Sequence, residues 1–171
     1  MGLFTALVVA VFVPMLIEAR RAAVNERAQL GRGGVEPPDD VYKRMRVAYP
    51  ACFLAMLLEG LWRGTPPAGV LAAGATLFVL AKAIKWWAIL TLGPFWTFRV
   101  IVVPGVPLVA AGPYRWLRHP NYVGVVGELV GAALMTGAIV TGPIATAGFM
   151  FLLSKRIAVE SRMLASSARG T

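Results

Sequence analysis

The residues of this chain that could do chemistry crowd into one place. The stretch GPYRWLRHPNYVG, Gly112 to Gly124, holds Tyr114, Tyr122, Trp116, Arg115, Arg118 and the only histidine, His119. Proline suits the first position of a helix because it has no N–H to leave unpaired, so His119-Pro120 predicts a helix beginning near Asn121. The free N–H groups and positive dipole end of such a helix suit a carboxylate. Tyr114, Trp116 and Tyr122 add aromatic faces, which attract a cation once water is excluded. A ligand with a carboxylate, a cationic centre and a flat heterocycle matches this set, and S-adenosylmethionine has all three. The same residues also read as an aromatic belt with snorkelling arginines at a membrane surface.

Three further residues stand out. Arg156 and Glu160 are four apart in a helical stretch and share a face. The arginine could grip an anionic oxygen through two parallel N–H bonds, and the glutamate could bind an ammonium. Alternatively they form a plain surface pair, worth about 0.3–0.5 kcal/mol. Glu128 lies about two turns inside an apolar run. An ionisable group there is a functional-site candidate, here a base for a hydroxyl acceptor, or else a packing acid bonded to nearby backbone. With one histidine and one cysteine the chain has no metal-ligand cluster, so no metal is expected. Cys52, inside an apolar run, reads as a small buried hydrophobe.

The elements that position these groups must lie in a membrane. The chain is 58% hydrophobic and 15% charged, with mean hydropathy +0.70; soluble domains carry about 25% charged residues. An all-α integral membrane protein is expected. The net charge of +9 comes with no nucleic-acid recognition element. Apolar runs at Leu3–Ile17, Val47–Trp62, Pro67–Leu90, Tyr122–Met135 and Ile139–Leu153 predict about five transmembrane helices. The last two meet at TGAIVTG as a C-terminal helical hairpin. The first run lacks a basic leader and a small-residue cleavage site, so it reads as a retained anchor.

Basic residues set the orientation. Arg20, Arg21, Arg27, Arg32, Lys43, Arg44 and Arg46 lie between the first two runs. Arg99, Arg115 and Arg118 lie between the third and fourth, and Lys155, Arg156, Arg162 and Arg169 follow the fifth. This puts the N-terminus outside, with the C-terminus and the candidate pocket cytoplasmic. EARRAAVNERAQL predicts an interfacial helix, followed by a turn at GRGGVEPPDD; a plain solvated loop is the alternative. Lys82, Lys85, Trp86 and Trp87 read as interface anchors, with Glu59 and Trp62 in that part on the other side. Gly124, Gly127 and Gly131 read as residues that permit close helix packing.

GPYRWLRHPNYVG, followed by a hairpin and RIAVE, resembles the isoprenylcysteine carboxyl methyltransferase family over residues 74 to 165. The resemblance implies an S-adenosylmethionine-dependent O-methyltransferase with the cofactor bound on the cytoplasmic side and a lipophilic substrate entering from the bilayer. Its acceptor is either a prenylcysteine-type carboxylate, which Arg156 need only aim, or a phenolic or pyrone hydroxyl, which must lose a proton to Glu128 or His119. It implies that the strand-like segment Val106-Pro107-Leu108-Val109 contacts the cofactor through its backbone. Tyr114, His119, Pro120, Asn121 and Tyr122 would line the cofactor pocket, Glu160 would bind the cofactor, and Arg156 would hold the acceptor group. The family commonly has two acids after RIxx, whereas here Glu160 is followed by Ser161. LLEGLW and LTLGPFWTFRVIVVPGVPLV further resemble a bacterial branch paired with type III polyketide synthases, whose members O-methylate alkylresorcinols or alkylpyrones. The division implied is residues 1–73, membrane helices and interfacial loop, and residues 74–171, the methyltransferase core, within one structural domain. Rival classes are a membrane reductase with a nicotinamide cofactor and a non-enzymatic membrane subunit. The chain has no G-x-G-x-x-G for the first, and the second expects no cofactor affinity.

Overall fold

The computed structural model describes residues 2–106 and 109–169, with side chains through residue 165. Among the described residues it is all-helical: α1 (Gly2–Leu30), α2 (Tyr42–Arg63), α3 (Ala68–Leu92), α4 (Pro120–Thr136) and α5 (Thr141–Arg169). Two single 3₁₀ turns, Gly93–Phe95 and Gly112–Arg115, interrupt the α3–α4 connection. Helices α1, α2 and α3 are long and apolar enough to cross a membrane. The hairpin helices are less so: α4 has 17 residues, about 25 Å at 1.5 Å per residue, and α5 becomes polar beyond Ser154. Exposed side chains such as Val9, Leu16, Leu58, Val79, Leu90, Ile144 and Phe151 form the apolar exterior that lipid requires.

The first two runs of sequence fold differently from expectation at one point. No separate interfacial helix forms, because EARRAAVNERAQL continues α1 without a break to Leu30. Its Ala, Glu, Arg and Gln are good helix formers, and no Gly or Pro stands between Ile17 and Leu30 to stop it. The expected turn at GRGGVEPPDD is present, from Gly31 to Asp40. Proline and glycine punctuate the other boundaries. α3 follows Pro66-Pro67, α4 has Pro120 in its first turn, and Gly137 ends α4 with φ +67, the left-handed conformation that closes the α4–α5 hairpin.

α3 and α4 lie antiparallel in backbone contact. A Cβ at Gly124 would fall 2.7 Å from Lys85 Cβ, one at Gly127 2.7 Å from Ala81 Cβ, and one at Gly131 2.8 Å from Phe78 N. The three glycines therefore serve the close packing read from the sequence. The core between the helices holds Leu7, Val11, Phe53, Met56, Phe78, Leu129, Met135, Phe149 and Leu153. Cys52 sits half-buried at its edge, Sγ 3.8 Å from the Ala145 carbonyl.

Two expected interface anchors turn out to be interior. Lys85 is 2% exposed, and its ammonium lies 2.7 Å from Glu18 Oε2 and 3.3 Å from Glu128 Oε1. Lys82 Nζ lies 3.1 Å from Glu18 Oε1 and 3.0 Å from Glu128 Oε2. The Tyr49 hydroxyl donates to Glu128 Oε2 at 2.6 Å. Two ammoniums facing two carboxylates sum to zero charge, which is how ionised groups can be buried at all. Lys82 and Lys85 face inward because the glycines of α4 bring their helix against Glu128. Glu59 is also more than an anchor: its carboxylate accepts the N–H groups of Val140 (3.1 Å) and Thr141 (2.7 Å), capping the start of α5. Trp62 is 82% exposed, as a membrane-surface aromatic should be.

Candidate functional site

The site forms where the start of α4 meets the polar half of α5, under the loop before α2. His119 precedes α4, and Pro120 is fully buried in its first turn. This fixes the ring of His119 against Tyr122 one turn on, stacked at 5.3 Å between centroids. The tight α4–α5 turn runs the two helices back along each other. Residues one turn apart on α5 then face the α4 start.

Tyr122 is the junction. Its hydroxyl donates to Glu160 Oε2 at 2.8 Å and accepts from Arg156 Nε at 3.0 Å. Arg156 and Glu160 thus share a face as expected but do not form the simple pair. They are joined through a phenol, and Glu160 Oε2 also lies 3.9 Å from His119 Nδ1. Arg156 is 5% exposed, whereas Glu160 has 31% of its side chain exposed. Tyr114, in the 3₁₀ turn before α4, has its phenol held above the ordinary range by burial, with the Glu160 carboxylate adding to the effect.

The α3–α4 connection is held in place by the polar half of α1. Asn25 donates to the carbonyls of Gly93 (3.0 Å) and Trp96 (2.8 Å), Gln29 to that of Pro94 (3.0 Å), and Glu26 accepts Phe98 N–H. The anchored Trp96, 2% exposed, donates Nε1–H to Asn121 Oδ1 at 3.4 Å. The unbroken α1 therefore reaches the α4 start through Trp96. Val106 is exposed and Val109 half-buried, and neither forms a strand. Pro107 and Leu108 lie outside the described residues.

Asp40 completes the site and was not singled out from the sequence. Arg156 Nη1 donates to its Oδ1 at 3.0 Å. The neighbouring Asp39 pairs with Arg162, which holds its carboxyl below the usual range. A cleft of about 510 Å³ opens beside these pairs, lined by Pro37, Pro38, Asp39, Val159, Arg162 and Met163. The signal available was local: an Asp two residues before a helix can accept the N–H of its first residue in an Asx turn, as Asp40 does from Tyr42, so Asp40 had to sit where α2 begins.

Glu128 belongs elsewhere. Its oxygens are engaged by Tyr49, Lys82 and Lys85, and no contact joins it to Arg156. Its Oε1 accepts no hydrogen bond and lies 3.3 Å from Lys85 Nζ, so the structure places the expected base in the buried ion cluster rather than beside Arg156.

The donor set fits a sulfonium amino-acid cofactor. The partly exposed Glu160 carboxylate suits an ammonium, and the stacked His119 and Tyr122 rings with Tyr114 offer flat, electron-rich faces. A family model described as the isoprenylcysteine carboxyl methyltransferase (ICMT) family matches residues 74–166. The uncharacterized protein YpbQ of Bacillus subtilis is 30% identical over 162 residues, covering 95% of this chain and 96% of the relative. An uncharacterized protein of Haemophilus influenzae is 22% identical over 137 residues, 80% of each. No solved structure matches the chain.

Proposed function

This chain belongs to the isoprenylcysteine carboxyl methyltransferase family and is a membrane methyltransferase; from that premise we propose that it is an S-adenosylmethionine-dependent O-methyltransferase of a lipophilic hydroxyl. Its active site, at the basic end of the bundle, faces the cytoplasm. The observation that carries this reading is the Tyr122 hydroxyl, which ties a buried arginine to a half-exposed carboxylate at the mouth of α4. Glu160 holds the cofactor's ammonium, the rings of Tyr114, His119 and Tyr122 surround it, and Arg156 holds the acceptor oxygen. Val106 and Val109 supply backbone to the pocket, with Pro120 and Asn121 shaping its floor.

When bound, the cofactor supplies a methyl group on a sulfonium, which an acceptor oxygen takes by in-line displacement, leaving a neutral thioether. No general acid is needed. A phenolic or enolic hydroxyl, with pKa about 10 for a phenol, must give up its proton as its oxygen attacks. The Arg156 guanidinium stabilises the oxyanion, and His119 is the base within the site that can accept the proton.

Charge favours the hydroxyl over a carboxylate. Asp40 and Glu160 against Arg156 leave the site at −1. The zwitterionic sulfonium cofactor adds +1. A neutral hydroxyl keeps the total at zero, whereas a carboxylate acceptor would bring an uncompensated charge into a largely buried place, which is costly. The resemblance to the branch paired with type III polyketide synthases supports a phenolic or pyrone lipid, reaching the site from the bilayer.

The test is mass spectrometry of lipid extracts incubated with the purified protein and deuterated-methyl S-adenosylmethionine. One lipid species should gain a single labelled methyl group on oxygen, and Arg156→Ala should suppress it roughly a hundred- to a thousandfold. No labelled lipid, together with no binding of S-adenosylhomocysteine, would refute the reading. Label found on a carboxylate would keep the methyltransferase and overturn the acceptor.

A further inference from the structure

The carboxylate of Asp40 is fixed from three directions. Tyr42 N–H donates to Oδ1 at 3.0 Å, Val100 N–H donates to Oδ2 at 2.9 Å, and Arg156 Nη1 donates to Oδ1 at 3.0 Å. Two of these donors are backbone groups, from the start of α2 and from the α3–α4 connection. Their positions are set before any side chain of the site is placed. The contact of Asp40 to Arg156 is the one that leads into the site.

Arg156 is in turn gripped at two points of a rigid plane. Nε is committed to the Tyr122 hydroxyl and Nη1 to Asp40. Two fixed donors on a planar fork leave no rotation of the guanidinium. Nη2 has no hydrogen-bond partner among the described residues, and it is not among the atoms both sealed from solvent and unpartnered. It is therefore the nitrogen with both N–H groups left for an incoming oxygen. Without Asp40 the guanidinium would have one anchor and could swing about the Nε bond.

We propose that Asp40 is a positioning residue for methyl transfer: it locks the Arg156 guanidinium so that Nη2, the nitrogen with neither N–H committed, is presented to the acceptor oxygen. Asp40 lies outside residues 74–166, the stretch shared with the family. The proposal rests on the methyltransferase reading above. It differs from a mere tie of the loop to α5, because the loop has other anchors. Val35 and Val102 form an antiparallel bridge, Arg99 bonds Glu36 at 2.9 and 3.2 Å, and Asp39 pairs with Arg162.

The test has two readouts. The first is nitrogen-15 NMR of arginine side chains in the ligand-free protein in micelles. Wild type should show hindered Arg156 rotation, with separate Nη signals, and Asp40→Asn should merge them. Merged signals already in wild type would overturn the proposal. The second is single-turnover methyl transfer beside cofactor affinity. Asp40→Asn should slow transfer by about a hundredfold, the effect of a misplacement near 1 Å, with S-adenosylhomocysteine affinity within about threefold. In an Arg156→Ala background the same change should cost nothing further; a full multiplicative loss there would mark a structural tie and overturn the proposal. If Asp40→Asn does not fold, Asp40→Glu keeps the charge but moves it by one methylene. A slowed rate at wild-type cofactor affinity supports positioning, and a wild-type rate refutes it. If wild type itself transfers no methyl group, the parent reading has failed, while the NMR result still judges the lock.

Discussion

Replacing Lys85 with methionine tests the buried ion cluster at its centre. The substitution keeps the length and most of the volume of the side chain, so repacking should cost little. It removes the ammonium that sits 2.7 Å from Glu18 and 3.3 Å from Glu128, in a place where all three side chains are 1–2% exposed. The cluster then goes from zero to −1. Breaking one partner of a buried ion set costs about 3–5 kcal/mol, which lowers the folding equilibrium by roughly two to four decades. Adding Glu128→Gln removes the surplus charge, leaving Lys82 facing Glu18 alone. The double variant should recover at least half of the loss, a coupling of about 2 kcal/mol or more. Unfolding can be titrated with SDS in mixed micelles and read by far-ultraviolet circular dichroism. A thiol-reactive dye provides a second probe, since Cys52 is the only cysteine and lies half-buried at the edge of the core. A Lys85→Met variant within about 1 kcal/mol of wild type, or a double variant whose losses simply add, would refute the reasoning.

Gly131→Val should destabilise by about 1–3 kcal/mol or more, because the new Cβ would stand 2.8 Å from the Phe78 backbone nitrogen, which cannot move aside; the same SDS titration measures it. Glu160→Gln should weaken S-adenosylhomocysteine binding more than tenfold in calorimetry while leaving the unfolding midpoint alone, since its side chain is 31% exposed; unchanged affinity would remove it from the cofactor. Tyr122→Phe keeps the ring beside His119 but cuts the bridge to Arg156 and Glu160, so the single-turnover rate should fall more than cofactor affinity, whereas Tyr122→Ala, which also removes the ring, should weaken S-adenosylhomocysteine binding first. A fluorescent protein fused to the C-terminus should glow in cells and a periplasmic phosphatase there should stay inactive; the opposite pattern would turn the molecule over.

The parts of this architecture that depend on local chemistry were legible in the sequence. His119-Pro120 marks the α4 start because proline suits the first turn of a helix, where its missing N–H costs nothing, and the glycines of α4 mark close packing because the smallest residues let backbones approach. The meeting of Arg156 with Tyr122 followed from the short hairpin. Longer-range pairings were not legible. Lys82 and Lys85 have the position of interface anchors, and only the arrival of Glu18 from α1 and Glu128 from α4 makes their burial possible. Asp40 looked like turn chemistry because its partner lies 116 residues away. The length of α1 was missed for a different reason: a change from apolar to charged residues suggested a boundary, but a helix ends only where the backbone is broken or capped, and neither occurs before Gly31.

The buried cluster also governs how the protein can be made. Glu18 leaves the ribosome 64 residues ahead of Lys82. At about 5–20 residues per second, its first cation follows some 3–13 s later. Throughout that interval α1 carries a carboxylate that hydrocarbon will not accept alone. Nascent α1 must wait in the insertion machinery, or at the headgroup layer, until α3 arrives to release it. Those two helices then bring one negative and two positive charges, so the pair still lacks an anion until α4 delivers Glu128. Lateral release into lipid is thereby tied to completion of the catalytic half, and a chain truncated before α4 would be left with an unbalanced ammonium, a mark by which quality control can recognise an unfinished molecule.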